Sequence, residues 1–431
     1  MRITFSLLLV LSASIPRIAA QDTLRMEVAV LNALESNYGV RLSQMAYQRN
    51  AMLNTPGMAG QLPTVGAGIT DQFSASNIFQ RFANGQEISS ANASGNNVSA
   101  FVAVDWTIFN GFRISVERDR LAQMEQEGLI LWKQQIAATT AEVMLTYFEL
   151  VFLHQQMVNT DKIIAYNVER ENIARQRFEA GIGARTDWIQ STVDLNNQHQ
   201  FKESLIMQEQ NARIRMNLLL AKEVNTEFEP DPATTISDPN PEELRTALVQ
   251  DNENILIAKN YELLAEMELK RAKGVGYPVV TASGVYNFSR TDNSAGFSLL
   301  NRTYGPGVGI SAAIPLYAGG TIKLQKKLAQ LDLLGAQLEI ENARSRALAE
   351  FESACAEFVN VKAMMEIQQS NVSLAQQNLD IYTARYKEGQ SSALEVQLAQ
   401  VTYDTALRNF NELKFRSHTS AITMMWIAGR F

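Results

Sequence analysis

Two long stretches of the chain repeat apolar residues with the spacing of helices that pack against other helices. Residues 113–180 and 320–388 contain no proline, so each can form one unbroken helix about 100 Å long at 1.5 Å per residue. In the second stretch, steps of four and three residues connect a seam that has Gln368 as its single polar member. Such a seam predicts a coiled coil or a helical tube. Its positions are Ala347, Phe351, Ala354, Phe358, Val361, Met365, Gln368, Val372, Ala375, Leu379, Tyr382 and Tyr386.

The first stretch carries a looser form of the same seam. Its apolar positions are Val143, Leu150, Leu153, Met157, Ile164 and Phe178. The pattern is interrupted by polar residues at Thr160, Asn167 and Glu171. These interruptions predict a helix face that is partly in contact with water.

A glycine ends each long stretch. Gly181 and Gly389 follow the last periodic residues, where glycine is a common helix stop. Helical periodicity resumes over residues 186–222 and 393–428. Because the connecting turns are short, each pair of helices is predicted to form an antiparallel hairpin.

Residues 64–109 and 279–316 alternate apolar and polar residues with the period of two that is typical of β-strands. Each section is predicted to be a β-hairpin, with polar loops at 81–97 and 291–302. Strands of this kind, with one apolar face and one small or polar face, fit a membrane barrel with a wet lumen. They fit equally a soluble antiparallel sheet that buries one face.

The chain repeats its own pattern. Phe178–Gly181 lies 208 residues before Tyr386–Gly389, and Pro63 lies 215 residues before Pro278. We therefore predict a first repeat over residues 21–228, a proline-rich connector over 229–241 and a second repeat over 242–431. Each repeat is expected to begin with a helix, from Thr23 to about Asn54 and from about Pro241 to Lys273, and to continue with a β-hairpin and two long helices.

The N-terminus has the features of a secretory signal peptide. Arg2 precedes an apolar stretch from Ile3 to Leu11, and Ile18-Ala-Ala20 resembles a cleavage site, so residues 1–20 are predicted to be removed. The rest of the chain has no run of 18 consecutive apolar residues, from which we expect no membrane-spanning helix.

Composition narrows the possible functions. One cysteine excludes an intrachain disulfide, and three dispersed histidines have no ligand-like spacing, so we predict no metal site and no cofactor. The net charge of −7 argues against a nucleic-acid partner. No nucleophile–base pair or phosphate-binding loop stands out, so we predict that the protein is not an enzyme and has no catalytic residues.

Four predicted strands are too few to close a membrane barrel, since the smallest single-chain barrels have eight. An open sheet in hydrocarbon would leave unpaired backbone groups along its edges. Three chains would supply twelve strands and could close the barrel.

The sequence resembles the TolC-like outer-membrane factors. The resemblance rests on the 24–37 segment, Leu62-Pro63, the two glycine turns and Trp426-Ile-Ala-Gly429. It implies an α+β membrane protein that forms a homotrimer, with a twelve-stranded barrel in the outer membrane continued by a periplasmic α-helical barrel. It also implies a periplasmic adaptor that docks on the helical turns, at Gly181, Ile182, Thr186, Asp187, Gly389, Ser392 and Leu394.

The resemblance also suggests a pore constriction just after the second turn. Glu395 matches the first of two acidic positions that some members carry there, whereas the second falls on Leu398. Glu395 is therefore a candidate for an acidic ring, and the alternative is a solvated helix cap. Trp106 and Tyr304 are candidates for the aromatic girdles of a membrane barrel.

The function implied is a passive exit duct of a tripartite efflux pump or a type I secretion system. It would be served by an inner-membrane transporter through the adaptor and would extend from the outer membrane into the periplasm. The alternative is a periplasmic coiled-coil adaptor or structural protein whose sheet is soluble.

Overall fold

The computed structural model describes residues 23–431, which divide into two compact units. The predicted signal peptide lies outside the described residues. A helical unit comprises the described residues up to Arg41, Ile136–Arg245 and Glu350–Phe431. A sheet unit comprises Leu42–Gln135 and Thr246–Ala349.

The helical unit is built on four long helices and one short helix. The short helix is α1 (Met26–Ser36), and α3 (Arg113–Glu179) and α7 (Thr321–Lys387) each supply their C-terminal part. The other two are α4 (Arg185–Leu219) and α8 (Ala393–Ile427). The apolar seam predicted on α7 is confirmed, because each of its positions is buried or half-buried and Phe351, Val361 and Leu379 are only 1% exposed.

The seam of α3 differs from the prediction. Thr160 and Asn167 are each only 2% exposed, so the expectation of a wet face was wrong at both positions. The Thr160 hydroxyl donates to the Gln156 carbonyl at 2.8 Å, and the Asn167 amide donates to the Ile163 carbonyl at 3.2 Å. Because these polar groups find backbone acceptors on their own helix, burying them costs little.

One window of α3 is long and apolar enough, by composition alone, to cross a membrane, although α3 has no unbroken run of 18 apolar residues. Some 61% of that window is buried inside the fold. This degree of burial is typical of a core helix.

Tyr147 fastens the start of the described chain to the connector. Strand β1 (Thr23–Leu24) pairs in parallel with β4 (Glu229–Pro230), so the first helix begins at Met26 and not at Thr23 as predicted. The fully buried Tyr147 hydroxyl donates to the Leu24 carbonyl at 2.9 Å and accepts from the Asp231 amide at 2.9 Å. One phenol thus satisfies backbone groups of two extended segments.

The first helix of each half is broken near its middle by an asparagine, where one continuous helix was predicted. Asn37 separates α1 from α2 (Tyr38–Leu53), and Asn252 separates α5 (Pro241–Asp251) from α6 (Glu253–Gly274). The Asn37 side chain accepts from the Gly39 amide at 2.8 Å, and the Asn252 side chain accepts from the Ile255 amide at 3.0 Å. Each asparagine therefore caps the helix that follows it. The two are 215 residues apart, as Pro63 and Pro278 are.

The sheet unit contains one antiparallel sheet with the strand order β2-β3-β5-β6. Its strands are β2 (Thr64–Arg81), β3 (Glu87–Phe109), β5 (Val279–Asn293) and β6 (Leu300–Ala313). The predicted loops were too long, because β3 already begins at Glu87 and only residues 294–299 separate β5 from β6. The second β section ends at Ala313 and not at 316.

The register aligns the alternating residues of all four strands. Val65 lies opposite Val104, which lies opposite Gly284, which in turn lies opposite Val308. Since directly opposite residues share a face, the apolar positions form one surface across the sheet. The opposite face carries mainly small and polar residues. Its aromatic exception, Phe101, lies over Gly68, where an added Cβ would be 2.6 Å from the Phe101 ring.

Candidate functional site

The two turns predicted as docking positions both lie in the helical unit. Gly181 has a φ of +72° and Gly389 a φ of +76°, a conformation that glycine adopts without the strain of a side chain. The Ile182 amide donates to the Arg177 carbonyl at 3.0 Å, and the Gln390 amide donates to the Arg385 carbonyl at 2.8 Å. These bonds close the C-termini of α3 and α7 in the same way.

The turn after α7 is fixed by a capping box. The Ser392 hydroxyl accepts from the Glu395 amide at 3.3 Å, and the Glu395 carboxylate accepts from the Ser392 amide at 2.7 Å. This is the helix-cap role that the sequence left open for Glu395. The hydrogen bonds from Ser392 lower the pKa of the Glu395 carboxyl, so the exposed side chain is charged at neutral pH.

The turn after α3 is built differently. The N-cap of α4 is Ala184, which has no side chain able to cap, and Asp187 lies in the first turn of the helix. A carboxylate there is favoured by the helix dipole. Trp188 stacks on Phe178 with ring centroids 5.7 Å apart, and its indole NH donates to Glu171 at 2.7 Å.

Ser392 and Ala184 are the corresponding caps of the two repeats, 208 residues apart, and they allow a paired test. We expect Ser392→Ala to destabilise the start of α8 by about 1 kcal/mol and Ala184→Ser to stabilise the start of α4 by a similar amount. Amide hydrogen exchange in the first turns of α4 and α8 measures both changes. Equal exchange in the two variants and the parent chain would contradict the assigned caps.

Arg177 joins the two turns. Its guanidinium donates to the Tyr386 carbonyl at 2.7 Å and lies 4.5 Å from the centroid of the Tyr386 ring. The same guanidinium approaches Gly389, where an added Cβ would lie 3.2 Å from Arg177 Nη2. Burial of Tyr386, which is 2% exposed, raises the pKa of its phenol, so the ring stays neutral beside the cation. The prediction from sequence did not include Arg177, because its partner lies 209 residues away.

A buried ion pair lies behind these turns. Arg170 and Asp194 form a salt bridge with 5% and 19% of their side chains exposed. Asp194 also accepts from Gln397 at 2.9 Å and from Gln190 at 2.8 Å. The carboxylate thus links α3, α4 and α8 through three donors.

A groove of about 430 Å³ opens beside this pair. The predicted docking residues Thr186, Asp187 and Leu394 line it, together with Arg170, Asp194 and Tyr386. Ile182 is 79% exposed and Leu394 is 61% exposed, so both turns present an apolar side chain to solvent, and Leu394 lines the groove. Among the described residues no group of three His, Cys, Asp or Glu side chains could hold a metal ion.

The two candidate girdle residues lie at opposite ends of the apolar face in the sheet unit. Trp106 is opposite Ala282, near the end where the strands join the helices, and its indole NH donates to the Gln61 carbonyl at 3.0 Å. Tyr304 is opposite Phe288, three same-face rows farther along. The next same-face row contains Arg302, so the apolar surface ends there.

A family model described as "Outer membrane efflux protein" matches residues 249–430. This region is similar to the domains of that family. It includes α6, the second β-hairpin and both long helices of the second half, so the resemblance stated from the sequence is confirmed.

Curated relatives match more of the chain. Over 60% of its length it is 25% identical to the outer membrane protein TolC of Escherichia coli, and over 69% it is 23% identical to the outer membrane efflux protein BepC of Brucella suis. The matched regions span 56% and 65% of those relatives' own lengths. Both relatives are named for the outer membrane, which confirms the localisation predicted from the sequence.

Solved structures share the fold of the efflux domain and of the residues before it. The outer-membrane channel OprN superposes with a TM-score of 0.81 at 15% identity, covering 94% of this chain and 90% of that one. The Campylobacter jejuni CmeC outer membrane channel superposes with a TM-score of 0.79 at 15% identity, covering 94% and 85%. These neighbours are described as channels and not as enzymes.

Proposed function

We propose that the chain is the outer-membrane exit duct of a tripartite efflux pump or a type I secretion system. It is a passive conduit for small molecules or polypeptides that an inner-membrane transporter drives. The observation that carries the proposal is the four-stranded sheet, whose apolar face is uncovered. Ile69, Val308 and Ile310 on that face are 77%, 92% and 78% exposed in the chain. A soluble sheet would cover such a face with another layer.

The edges of the sheet support a trimer. Strands β2 and β6 each pair on one side only among the described residues. In a bilayer, every unpaired backbone group on those edges would cost several kcal/mol. Three chains pair β2 of one copy with β6 of the next and close a barrel of twelve strands, with the apolar surface toward lipid.

The helical hairpins supply the periplasmic end of the duct. Their turns expose the apolar side chains of Ile182 and Leu394, and Leu394 also lines the groove. Exposed apolar anchors of this kind suit contact with the apolar face of an amphipathic helix in another helical hairpin. We propose a periplasmic adaptor as that partner, connecting the duct to the transporter.

A constriction at Glu395 is part of the same proposal. The capping box holds the carboxylate at the start of α8, and its lowered pKa keeps it ionised. Three such carboxylates around an axis would favour cations over anions. Single-channel recording of Glu395→Gln should then show weaker cation preference, because glutamine can still serve the capping box but carries no charge.

The deciding experiment is the mass of the purified chain in mild detergent. We expect light scattering, corrected for bound detergent, to give three chains per particle together with the strand signal of circular dichroism. A single chain per particle with intact strand signal would refute the duct, because four strands alone cannot close. Extraction from cells without detergent would instead support the soluble-sheet alternative.

A further inference from the structure

Basic residues collect at one end of the sheet. The registers place the starts of β2 and β5 beside the ends of β3 and β6, so all four helical connections leave from this end. The connecting segments 112–118, 270–278 and 317–331 hold eight basic residues and one acidic residue, a net charge of +7 in a chain of −7. We call the basic residues the collar: Arg113, Arg118, Lys270, Arg271, Lys273, Lys323, Lys326 and Lys327.

Exposed aromatic rings lie between the apolar face and the collar at three of the four connections, and we call them the aromatic level. Trp106 and Phe112 precede the collar arginines after β3, Tyr277 lies between the α6 lysines and β5, and Tyr317 precedes the α7 lysines. These side chains are 45%, 63%, 51% and 87% exposed, in that order. The succession of apolar strand, aromatic ring and basic residue is the one that proteins show where hydrocarbon meets headgroups.

Close packing brings the connections together. The backbones of Gly111 and Gly274 approach so closely that a Cβ on Gly274 would lie 2.5 Å from the Gly111 oxygen and 2.9 Å from Arg113 Cγ. A Cβ on Gly276 would lie 3.8 Å from Lys326 Nζ. Arg113 therefore lies at the C-terminal end of α6, which carries Lys273, and Lys326 of α7 reaches the turn that follows α6.

A strained residue belongs to the same region. Phe112 has a φ of +64°, which is unfavourable for a bulky side chain, whereas the corresponding position of the second half is Gly320 with a φ of +81°. The Phe112 ring nevertheless contacts Phe109 at 5.2 Å and Tyr277 at 6.2 Å, edge to face. The aromatic level is thus built at some conformational cost.

The lysines of the collar are free of ion pairs. Lys270, Lys273, Lys323, Lys326 and Lys327 form no salt bridge with any of residues 23–431. The arginines differ from these lysines, because Arg271 of the collar pairs with Glu268, and at the far end of the sheet Arg81 pairs with Glu87 and Arg290 pairs with Asp292. Unpaired positive charge beside an aromatic level calls for an anionic partner outside the chain.

We propose that the collar binds the phosphate headgroups of anionic phospholipids in the leaflet that faces the helices. The inference rests on the proposed function, since it requires the apolar face of the sheet to lie in a bilayer. The bound lipids fix the depth of the sheet, because the aromatic level cannot leave the interface without separating the lysines from the phosphates.

Spin-labelled lipids test the proposal on the full-length protein in vesicles. The vesicles contain phosphatidylcholine alone, or phosphatidylcholine with 20 mol% phosphatidylglycerol, and electron paramagnetic resonance gives the association of each labelled lipid relative to phosphatidylcholine. We expect phosphatidylglycerol to be preferred and the triple variant K273Q/K323Q/K327Q to lose about fivefold or more of that preference, since each lysine contributes on the order of a fivefold effect. Salt at 0.5 M should reduce the preference of the unchanged chain.

Matched variants keep the result interpretable. K133Q/K162Q/K222Q removes three exposed, unpaired lysines elsewhere and should keep the preference, as should the charge-retaining K273R/K323R/K327R. An unchanged preference in K273Q/K323Q/K327Q, or an equal loss in K133Q/K162Q/K222Q, would overturn the collar. If the unchanged chain immobilises phosphatidylcholine without preferring phosphatidylglycerol, only the collar fails. If it immobilises no lipid at all, the membrane sheet of the proposed function fails with it.

Discussion

Replacing Phe351 with aspartate should abolish the stable fold of the helical unit. Phe351 is 1% exposed in the seam of α7, so the change removes a large buried ring and places a carboxylate in its position. Loss of the ring alone costs about 3–5 kcal/mol, and an unpaired buried charge adds to this. That sum is comparable with the whole stability of an ordinary domain. Chemical denaturation followed by circular dichroism measures the loss.

The control for Phe351 lies two turns along the same helix. Val359 is 56% exposed in the chain. Val359→Asp should therefore leave the free energy of unfolding within about 0.5 kcal/mol of the parent value. If Phe351→Asp unfolds at the same denaturant concentration as Val359→Asp, then the seam does not stabilise the unit. A loss in Val359→Asp confined to the oligomer, with the helices intact, would instead place Val359 at a contact between chains.

The long helices could be predicted because their signals are local and repeated many times. The bounds predicted for α3 and α7 are 113–180 and 320–388. They differ from the observed bounds by one residue at the C-terminal end of α3 and by one residue at each end of α7. Proline-free sequence, a sustained heptad and a glycine stop all point to the same ends. The glycine turns were found for the same reason, since a left-handed residue after a helix favours glycine strongly.

The helix breaks at Asn37 and Asn252 could not be read from periodicity. In both places the apolar positions continue on the same face across the break, and one asparagine costs little inside a helix. The deciding interaction is a side-chain oxygen that caps the next helix, as in the bond from the Ile255 amide to Asn252. An asparagine between two helical segments was the available signal.

The strands were predicted short for a different reason. Residues 87–97 are mostly small and polar, so they lack the alternation of apolar and polar residues that identified the C-terminal part of β3. They form a strand because backbone hydrogen bonds to β2 continue regardless of side chains, as far as the pairing of Arg81 with Glu87. Alternation reports where one face meets an apolar medium, and the strands extend beyond that region.

The contacts between the two turns depend on tertiary structure. Arg177, Arg170 and Asp194 read individually as solvated helical charges, and only the fold brings Arg177 to Tyr386 and Arg170 to Asp194. The partly wet face predicted on α3 failed at Asn167 for a local reason, because the Asn167 amide donates to the Ile163 carbonyl one turn earlier on the same helix. A polar residue in a seam can be buried when its own helix supplies an acceptor, so polarity at a seam position does not by itself predict contact with water.

Breaking the buried pair should cost far more than breaking an exposed one. Arg170→Met leaves the Asp194 carboxylate in a partly buried site without its cation, and we expect a loss of about 3 kcal/mol. The figure is at the lower end of the range because Gln190 and Gln397 still donate to Asp194. Amide hydrogen exchange in α3 and α4 near the turn measures the loss locally, where global unfolding would average it.

A double mutant and a variant of a surface pair complete the test. Arg170→Met/Asp194→Leu removes both charges and should recover most of the loss, since a buried pair can be replaced by apolar side chains at little cost. Arg215→Met breaks the exposed pair with Glu149 and should cost less than about 1 kcal/mol. Should Arg170→Met cost no more than Arg215→Met, water must screen the Arg170–Asp194 pair. The groove beside the turns would then be a hydrated surface, and the polar contacts that join the proposed docking turns would be those of Arg177 and Tyr386 alone.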